Sequence, residues 1–347
     1  MKKTKTPSRK REHVELTVKK NVSFRGKSAG FQQYEFEHNA LPEINFSEIS
    51  TETVFLSKKI SFPLLLSCMT GGYQEAVRIN RLLAEACEEF QLPMGVGSQR
   101  QAMENSLYHE SFRIARKAAP SIPLLGNIGA PEIAQMKDFS PVLRLAELIH
   151  ADGFAVHLNP LQEFLQPEGN TNFRGVLSGI EKLVKELSVP VIVKEIGAGI
   201  SGDTARRLVN IGVQYLDVAG AGGTSWAGVE ILRRKDAQED WNPFWDWGIA
   251  TVDSLNEVVQ LKGEVKKLSV IASGGITNGV ECAKAIALGA DLTASARPMI
   301  TALMKNGKSG LKKKISLWRR QLQGAMFLIG ASSIEELQYN SHLKKNT

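Results

Sequence analysis

Eight short apolar runs, rich in Val, Ile and Leu, recur at about residues 62–68, 92–97, 122–127, 153–158, 189–195, 213–219, 268–273 and 291–296. Stretches of helical period separate most of them, seen clearly in Ala76, Ile79, Leu82, Leu83, Ala86 and Phe90 and again in Val280, Ala283, Ile286 and Ala287. Eight strand-then-helix beats predict the α/β class and a (β/α)8 TIM barrel, in which the residues ending each strand gather on one rim. An open doubly wound sheet would carry one glycine-rich fingerprint after its first strand and an acid about twenty residues later. Here glycines and polar groups follow nearly every run. The long interval at roughly 220–267 calls for an inserted loop after strand six, holding Trp226, Trp241, Trp245 and Trp247. Residues 1–60 read as an N-terminal arm and a cap or edge segment, and residues 61–347 as a single barrel domain.

Composition narrows the partners. No run approaches the roughly 18 apolar residues that span a bilayer, so no membrane is expected. Cys68, Cys87 and Cys282 form no C-x-x-C pair, and the Lys-rich start has no apolar core of the kind a secretory signal carries, so the expected location is the cytoplasm. The net charge of +7 is unevenly spread. Residues 1–27 hold ten Lys or Arg against Glu12 and Glu15, which leaves the other 320 residues at −1. Lys2 to Lys5 read as a solvated, mobile tail, and Arg9 and Lys10 as a cationic arm over an anionic small ligand. Neither zinc-finger spacing nor a basic patch with interleaved aromatics supports nucleic acid.

The strand ends hold the chemistry. His157-Leu158-Asn159-Pro160-Leu161-Gln162-Glu163 sets four bonding or ligating groups within seven residues. Strand alternation turns His157 and Asn159 to one side, and Pro160 ends the ladder, placing Gln162 and Glu163 on a loop. Lys194 closes an apolar run, where an ammonium needs an anion, either as a Schiff-base lysine or as a counter-charge to a ligand. Gly274-Gly275 after the seventh run and Ala296-Arg297 after the eighth stand where barrels hold phosphate with backbone N–H groups at a helix start, and a guanidinium fork matches phosphate. Flavin mononucleotide fits this layout, with Lys194 near its pyrimidine edge stabilising the anionic reduced form.

Taken in order, Arg9-Lys10-x-x-His13, Met69-Thr70-Gly71-Gly72, Gly97-Ser98-Gln99-Arg100, Gly126-Asn127-Ile128-Gly129, the His157–Glu163 string, Val193-Lys194-Glu195, Ala219-Gly220-Ala221-Gly222-Gly223-Thr224-Ser225-Trp226 and Ser273-Gly274-Gly275-Ile276 closely resemble the type 2 isopentenyl-diphosphate isomerases. Two local departures are Ala250 where Pro is expected and Thr277 where Arg is common. The resemblance implies an FMN- and Mg²⁺-dependent interconversion of isopentenyl and dimethylallyl diphosphate, feeding isoprenoid synthesis in a homotetramer or homo-octamer. NADPH is the expected reductant, spent in activating the flavin rather than in each turnover.

It further implies that Cys68, Met69, Thr70, Ser98, Asn127, Lys194, Thr224, Gly274, Gly275, Ile276, Ala296 and Arg297 hold FMN. Arg9, Lys10, Ser98, Gln99, Arg100, His157, Asn159 and Gln162 would meet the substrate, with Gln162, His157 and Asn159 nearest the chemistry, and Glu163 would ligate Mg²⁺. One carboxylate suffices for a metal that also takes waters and substrate phosphates. Reduced FMN would act as acid and base through its N5 region, with Gln162 orienting or relaying, since a neutral amide is a poor base on its own. The competing enzyme class is an FMN-dependent 2-hydroxy acid oxidase, which would want a His base beside Arg297. A non-catalytic flavin- or phosphate-binding barrel is the third. Glu230 could reach the site or sit on a helix surface.

Overall fold

The computed structural model describes residues 6–134, 136–234, 237–265 and 267–346. The expected tail lysines Lys2, Lys3 and Lys5 lie outside them. Three short strands come first: β1 (Tyr34–Phe36), β2 (Thr53–Phe55) and β3 (Lys58–Ile60). Eight more follow, β4 (Leu64–Leu66), β5 (Met94–Gly95), β6 (Leu124–Gly129), β7 (Gly153–His157), β8 (Val191–Lys194), β9 (Tyr215–Asp217), β10 (Ser269–Ser273) and β11 (Leu292–Ser295), and β12 (Leu343–Lys345) comes last. Strands β4 to β11 close into one parallel barrel, sealed where Ser295 of β11 registers with Leu66 of β4. Each of the eight apolar runs read from the sequence supplies one barrel strand.

The runs are apolar throughout because a barrel strand is covered on both faces, by helices outside and by packed side chains inside. The inner face carries Leu65, Leu125, Ile192, Ile271, Leu292 and Ala294. The hairpin β2–β3 plugs the N-terminal end of this interior with Phe55, Leu56 and Ile60, each under 9% exposed. Its two-residue turn, Leu56-Ser57, has positive φ at both positions (49° and 62°), the twist that a tight hairpin needs. Burial of Leu56 against the barrel floor holds a branched residue in that region. Within segment 28–60 the hairpin is therefore more than an edge: residues 53–60 are the barrel's lower stopper, while β1 pairs antiparallel with β12.

Helical stripes fall close to where the period sets them. In the helix Ala76–Phe90, Ala76, Ile79, Leu83 and Ala86 are buried. In Gly279–Ala287, Ala283 and Ile286 are buried, but Val280 faces solvent (38% exposed), and Cys282 takes the inner position instead. The interval 220–267 is not a loop. It folds into the helix Trp226–Arg233, the 3₁₀ turn Gln238–Phe244 and the helix Thr251–Gln260. Ser225 caps the first, accepting from the Gly228 N–H at 2.9 Å, and Val252, Leu255 and Val258 give the last a buried stripe. The described part of the arm forms the helix Thr6–Lys19 over the C-terminal rim.

Truncating the hairpin tip tests whether the stopper matters. Phe55→Ala should lower unfolding free energy by about 3 kcal/mol, the usual loss for a buried aromatic. Chemical denaturation measures it, and ligand binding at the opposite end should be unchanged.

Candidate active site

Parallel closure brings all eight strand ends to one mouth, and there the chain leaves a cavity of about 1070 Å³. Of the residues singled out from the sequence, Cys68, Met69, Ser98, Arg100, Asn127, His157, Asn159, Gln162, Glu163, Lys194, Thr224, Gly274, Gly275, Ile276, Ala296 and Arg297 line it, together with Arg9 and Lys10 of the arm. Two do not. Gln99 is fully buried under the β5–β6 seam, where its amide donates to the Leu145 carbonyl at 3.1 Å and accepts the Asn127 N–H at 3.0 Å. Thr70 turns its hydroxyl to Asn80, behind the first strand end. Both side chains support the wall rather than face a ligand.

His157 ends β7 with its Nδ1 2.9 Å from Asn127 Oδ1, while the Asn127 amide nitrogen donates to the Val96 carbonyl at 3.3 Å. That pairing makes Nδ1 the donor and leaves Nε2 with a free lone pair. Burial, with the charges of Lys194 and Lys10 adding to it, lowers the imidazole pKa to about 3, so the ring is neutral. The strand already ends at His157, so Pro160 does not end it; Asn159 stands at the N-cap and Pro160 opens a helix, Pro160–Leu165. Gln162 and Glu163 therefore sit on a helix rather than a loop. Asn159 Nδ2 donates to Glu163 Oε1 at 2.8 Å and approaches Gln162 Oε1 at 3.3 Å. Asn159 Oδ1 is buried without a partner among the described residues.

Glu230, left open in the sequence, is completely buried at this point. Gln162 Nε2 donates to its Oε1 at 2.9 Å, His13 Nε2 of the arm lies 2.9 Å from the same oxygen, and Arg233 holds Oε2. Burial alone would push this carboxyl up, but His13, Arg233 and Gln162 hold it down at about 2. It is an anion at neutral pH. The Gln162 amide is thereby fixed, nitrogen toward Glu230 and oxygen toward Asn159.

Cations ring the outer mouth. Lys10 donates to the Ser98 carbonyl, and burial, then the charge of Arg9, lowers its pKa to about 7. Arg9 is 3.8 Å from Glu168 and Arg100 3.0 Å from Glu132. Glu163 accepts the Asn170 N–H at 2.6 Å as well as Asn159, and burial raises its pKa. Each of its oxygens keeps a lone pair for a metal. No cluster of three or more His, Cys, Asp or Glu suited to a metal occurs among the described residues. A cation here would lean on Glu163 and on phosphate oxygens.

On the opposite side, the loops after β9 and β10 pack backbone on backbone. A Cβ on Gly274 (φ 99°) would sit 2.1 Å from the Gly220 carbonyl oxygen, and one on Gly275 (φ 76°) 2.7 Å from Ala29 Cβ. The N–H groups of Gly275 and Ile276 have no acceptor among the described residues, and the helix Arg297–Ile329 begins beside them. This cradle suits a phosphate. Arg297 is placed differently from the expectation. Its fork donates to the Thr17 carbonyl (3.0 Å), Ser23 Oγ (2.7 Å) and the Lys20 carbonyl (3.1 Å), stapling the end of the arm helix and the segment after it to the rim. Cys68 is a protonated thiol, since burial pushes it up to about 11.

The sequence did not single out Glu132 or His13 in a role. His13 was visible only as part of the arm motif, and Glu132 as an acid one helix after Asn127. Thr277, one of the two local departures, lines the cavity with its hydroxyl on Glu281.

A parallel barrel with a phosphate cradle after its last strands and a lysine ending β8 defines a flavin-barrel class. In keeping with it, the profile of the FMN-dependent dehydrogenase family matches residues 2–111 and 155–345. Similar solved folds include a lactate oxidase of Pediococcus acidilactici (TM-score 0.72, 16% identity, 98% of this chain and 94% of that one). A flavocytochrome b2 variant with sulfite bound has TM-score 0.71 and 17% identity over 96% and 82% of the two chains. At such identities they speak for the fold alone. Much nearer in sequence is the isopentenyl-diphosphate delta-isomerase of Chlorobium chlorochromatii, 47% identical over 98% of both chains. That of Pyrococcus furiosus is 42% identical over 96% of this chain and 86% of its own. The chain belongs to the FMN-dependent isopentenyl-diphosphate delta-isomerase family, and it is an isomerase of that family rather than an oxidase.

The buried imidazole gives a test of site electrostatics. Its folded pKa lies below the ordinary 6.5, so the unfolded chain takes up a proton there that the folded chain does not. This group therefore removes stability as pH falls from about 6.5 toward 3. His157→Asn should lessen the drop in denaturation midpoint between pH 7 and pH 5, and imidazole ¹⁵N shifts should keep the neutral Nδ1–H pattern. A ring that titrates near pH 6 would refute the assignment.

Proposed function

We propose that this chain catalyses the 1,3-allylic interconversion of isopentenyl diphosphate and dimethylallyl diphosphate in cytoplasmic isoprenoid biosynthesis, using FMN, Mg²⁺ and NADPH as reductant, and that it works as a homotetramer or homo-octamer. The observation that carries the reading is the partition of one cavity. Clamped neutral groups (His157, Asn159, Gln162) stand on one wall, a glycine cradle on the other, and a ring of cations at the mouth. That layout suits a ligand with a hydrocarbon half and a polyanionic half, beside a phosphorylated cofactor.

The unpartnered N–H groups of Gly275 and Ile276 and the helix start at Ala296-Arg297 fit the phosphate of FMN, while Lys194 supplies a cation on the floor. When bound and reduced, FMN supplies the acid and base for a proton added at one carbon and removed from another, with no net loss of electrons. The chain's own groups arrange the rest. Arg9, Lys10 and Arg100 would hold the diphosphate, and Glu163 would be the residue that holds Mg²⁺, which would help neutralise the diphosphate charge. Gln162 keeps one amide orientation against Glu230 and so aligns the alkene or relays a proton. His157 offers a neutral lone pair at Nε2 and adds no positive charge that would repel a cation forming at the tertiary carbon. The arm helix covers the mouth and limits water.

Incubation with isopentenyl diphosphate, FMN, NADPH and Mg²⁺, omitting one component at a time, tests this. Product should vanish when FMN, reductant or Mg²⁺ is left out; a fully oxidised enzyme running at full rate sinks the mechanism. Glu163→Gln should raise the Mg²⁺ concentration needed for half-maximal rate by tenfold or more, in line with the usual loss on removing a metal-site group, while flavin colour persists. Loss of flavin instead would show the residue misassigned.

A further inference from the structure

Lys194 and Asp217 end neighbouring parallel strands and stand in direct register. Lys194 Nζ donates to the Glu195 carbonyl and lies 3.8 Å from Asp217 Oδ2. The other carboxylate oxygen accepts from Ser273 Oγ and from the Ala219 N–H at 3.2 Å. Burial raises the pKa of this carboxyl, while Lys194, Ser273 and the Ala219 N–H act against that rise, and every polar neighbour of the side chain is a donor, an arrangement that favours the ionised form. Asp217 is 1% exposed and does not line the cavity; Lys194 and Ser273 do. A ligand on the floor thus meets the ammonium, with the carboxylate directly behind it. Among the described residues, the other two groups beside Lys194 are differently engaged. Glu195 spends its carboxylate on the N–H groups of Ile196, Gly197 and Ala198, and His157, registered with Lys194 on the other side, is neutral.

We propose that Asp217 is a positioning residue that fixes Lys194 and offsets part of its charge, so setting the electron affinity and acidity of the flavin bound over these strand ends. The idea rests on the reading of this cavity as an FMN site. In a buried site an isolated ammonium acts strongly on a neighbouring ring, and an anion behind it weakens that field. Such a cation alone favours the anionic reduced flavin and makes it a weak base. A compensated pair leaves it able to hold and release a proton, which an isomerase needs more than hydride transfer.

The test reconstitutes wild type, Asp217→Asn, Lys194→Met and Ser273→Ala with FMN. The midpoint potential is read, and so is the pH at which the reduced flavin's absorbance changes from its neutral to its anionic form. Asp217→Asn should raise the potential and lower that pH. Lys194→Met should do the reverse in both. Ser273→Ala, which removes a donor from the carboxylate and leaves its charge less satisfied, should move both readouts in the sense of Lys194→Met, by less. A purely structural role for Asp217 would shift Asp217→Asn and Lys194→Met the same way, and that result overturns the proposal, as does an Asp217→Asn protein with both readouts unmoved. Should Asp217→Asn fail to fold, Ser273→Ala decides: no shift, or one opposite to Lys194→Met, overturns it. A wild-type protein that takes up no FMN fails the cofactor reading itself, a different outcome from a flavoprotein whose potential ignores Asp217.

Discussion

A carboxylate with no solvent at all, Glu230, stays charged only because three parts of the chain bring polar or positively charged groups to it. His13 comes from the arm, Gln162 from the helix after β7, and Arg233 from the next turn of its own helix. An unpaired buried charge would cost several kcal/mol, so these contacts stand or fall together. Arg233 goes on to Glu12 and Glu168, and Glu168 faces Arg9. The arm, the mouth helix and the segment after strand six are thereby one electrostatic unit. The orientation of Gln162 depends on that unit being closed.

The same linkage explains where the arm's positive surplus goes. Part of it meets acids on the rim and part is anchored through main-chain oxygens, with Arg297 gripping the end of the arm helix and the stretch that follows it. Lys10 belongs to the second group. It is buried, destabilised as a cation by Arg9, and meets a carbonyl rather than a carboxylate.

Much of this was legible in the sequence. The barrel was, because eight doubly covered strands must be continuously apolar, and that pattern survives without any long-range information. The cavity-facing set was too, since parallel strands send their C-terminal ends to one rim, so counting strand ends finds the site. Side-chain direction was harder. Gln99 sits between two cavity-lining neighbours, and only the Leu145 carbonyl behind it reveals that its amide turns inward. Arg297 matched a phosphate fork by type, yet its partners are carbonyls contributed from residues 17–23, nearly 280 positions away in sequence. The Trp-bearing interval read as a loop because its beat breaks between strands, although the Val252, Leu255 and Val258 stripe is present once the frame is known. Glu230 and Asp217 could not be separated from ordinary acids, since burial is a property of the packed chain.

The seam between β4 and β11 joins residues about 230 positions apart, at Leu64 and Thr293. During synthesis the first barrel strand must therefore wait, one edge unsatisfied, until the last has left the ribosome. Partial chains expose an open, sticky sheet at just the stage when crowding is worst. Helices such as Ala76–Phe90, which can form early, shield the outer face of the growing sheet, and the β2–β3 hairpin, made before any barrel strand, is ready to cover the inner face from below. The order of elements along the chain thus makes the covering pieces before the contact that closes the barrel.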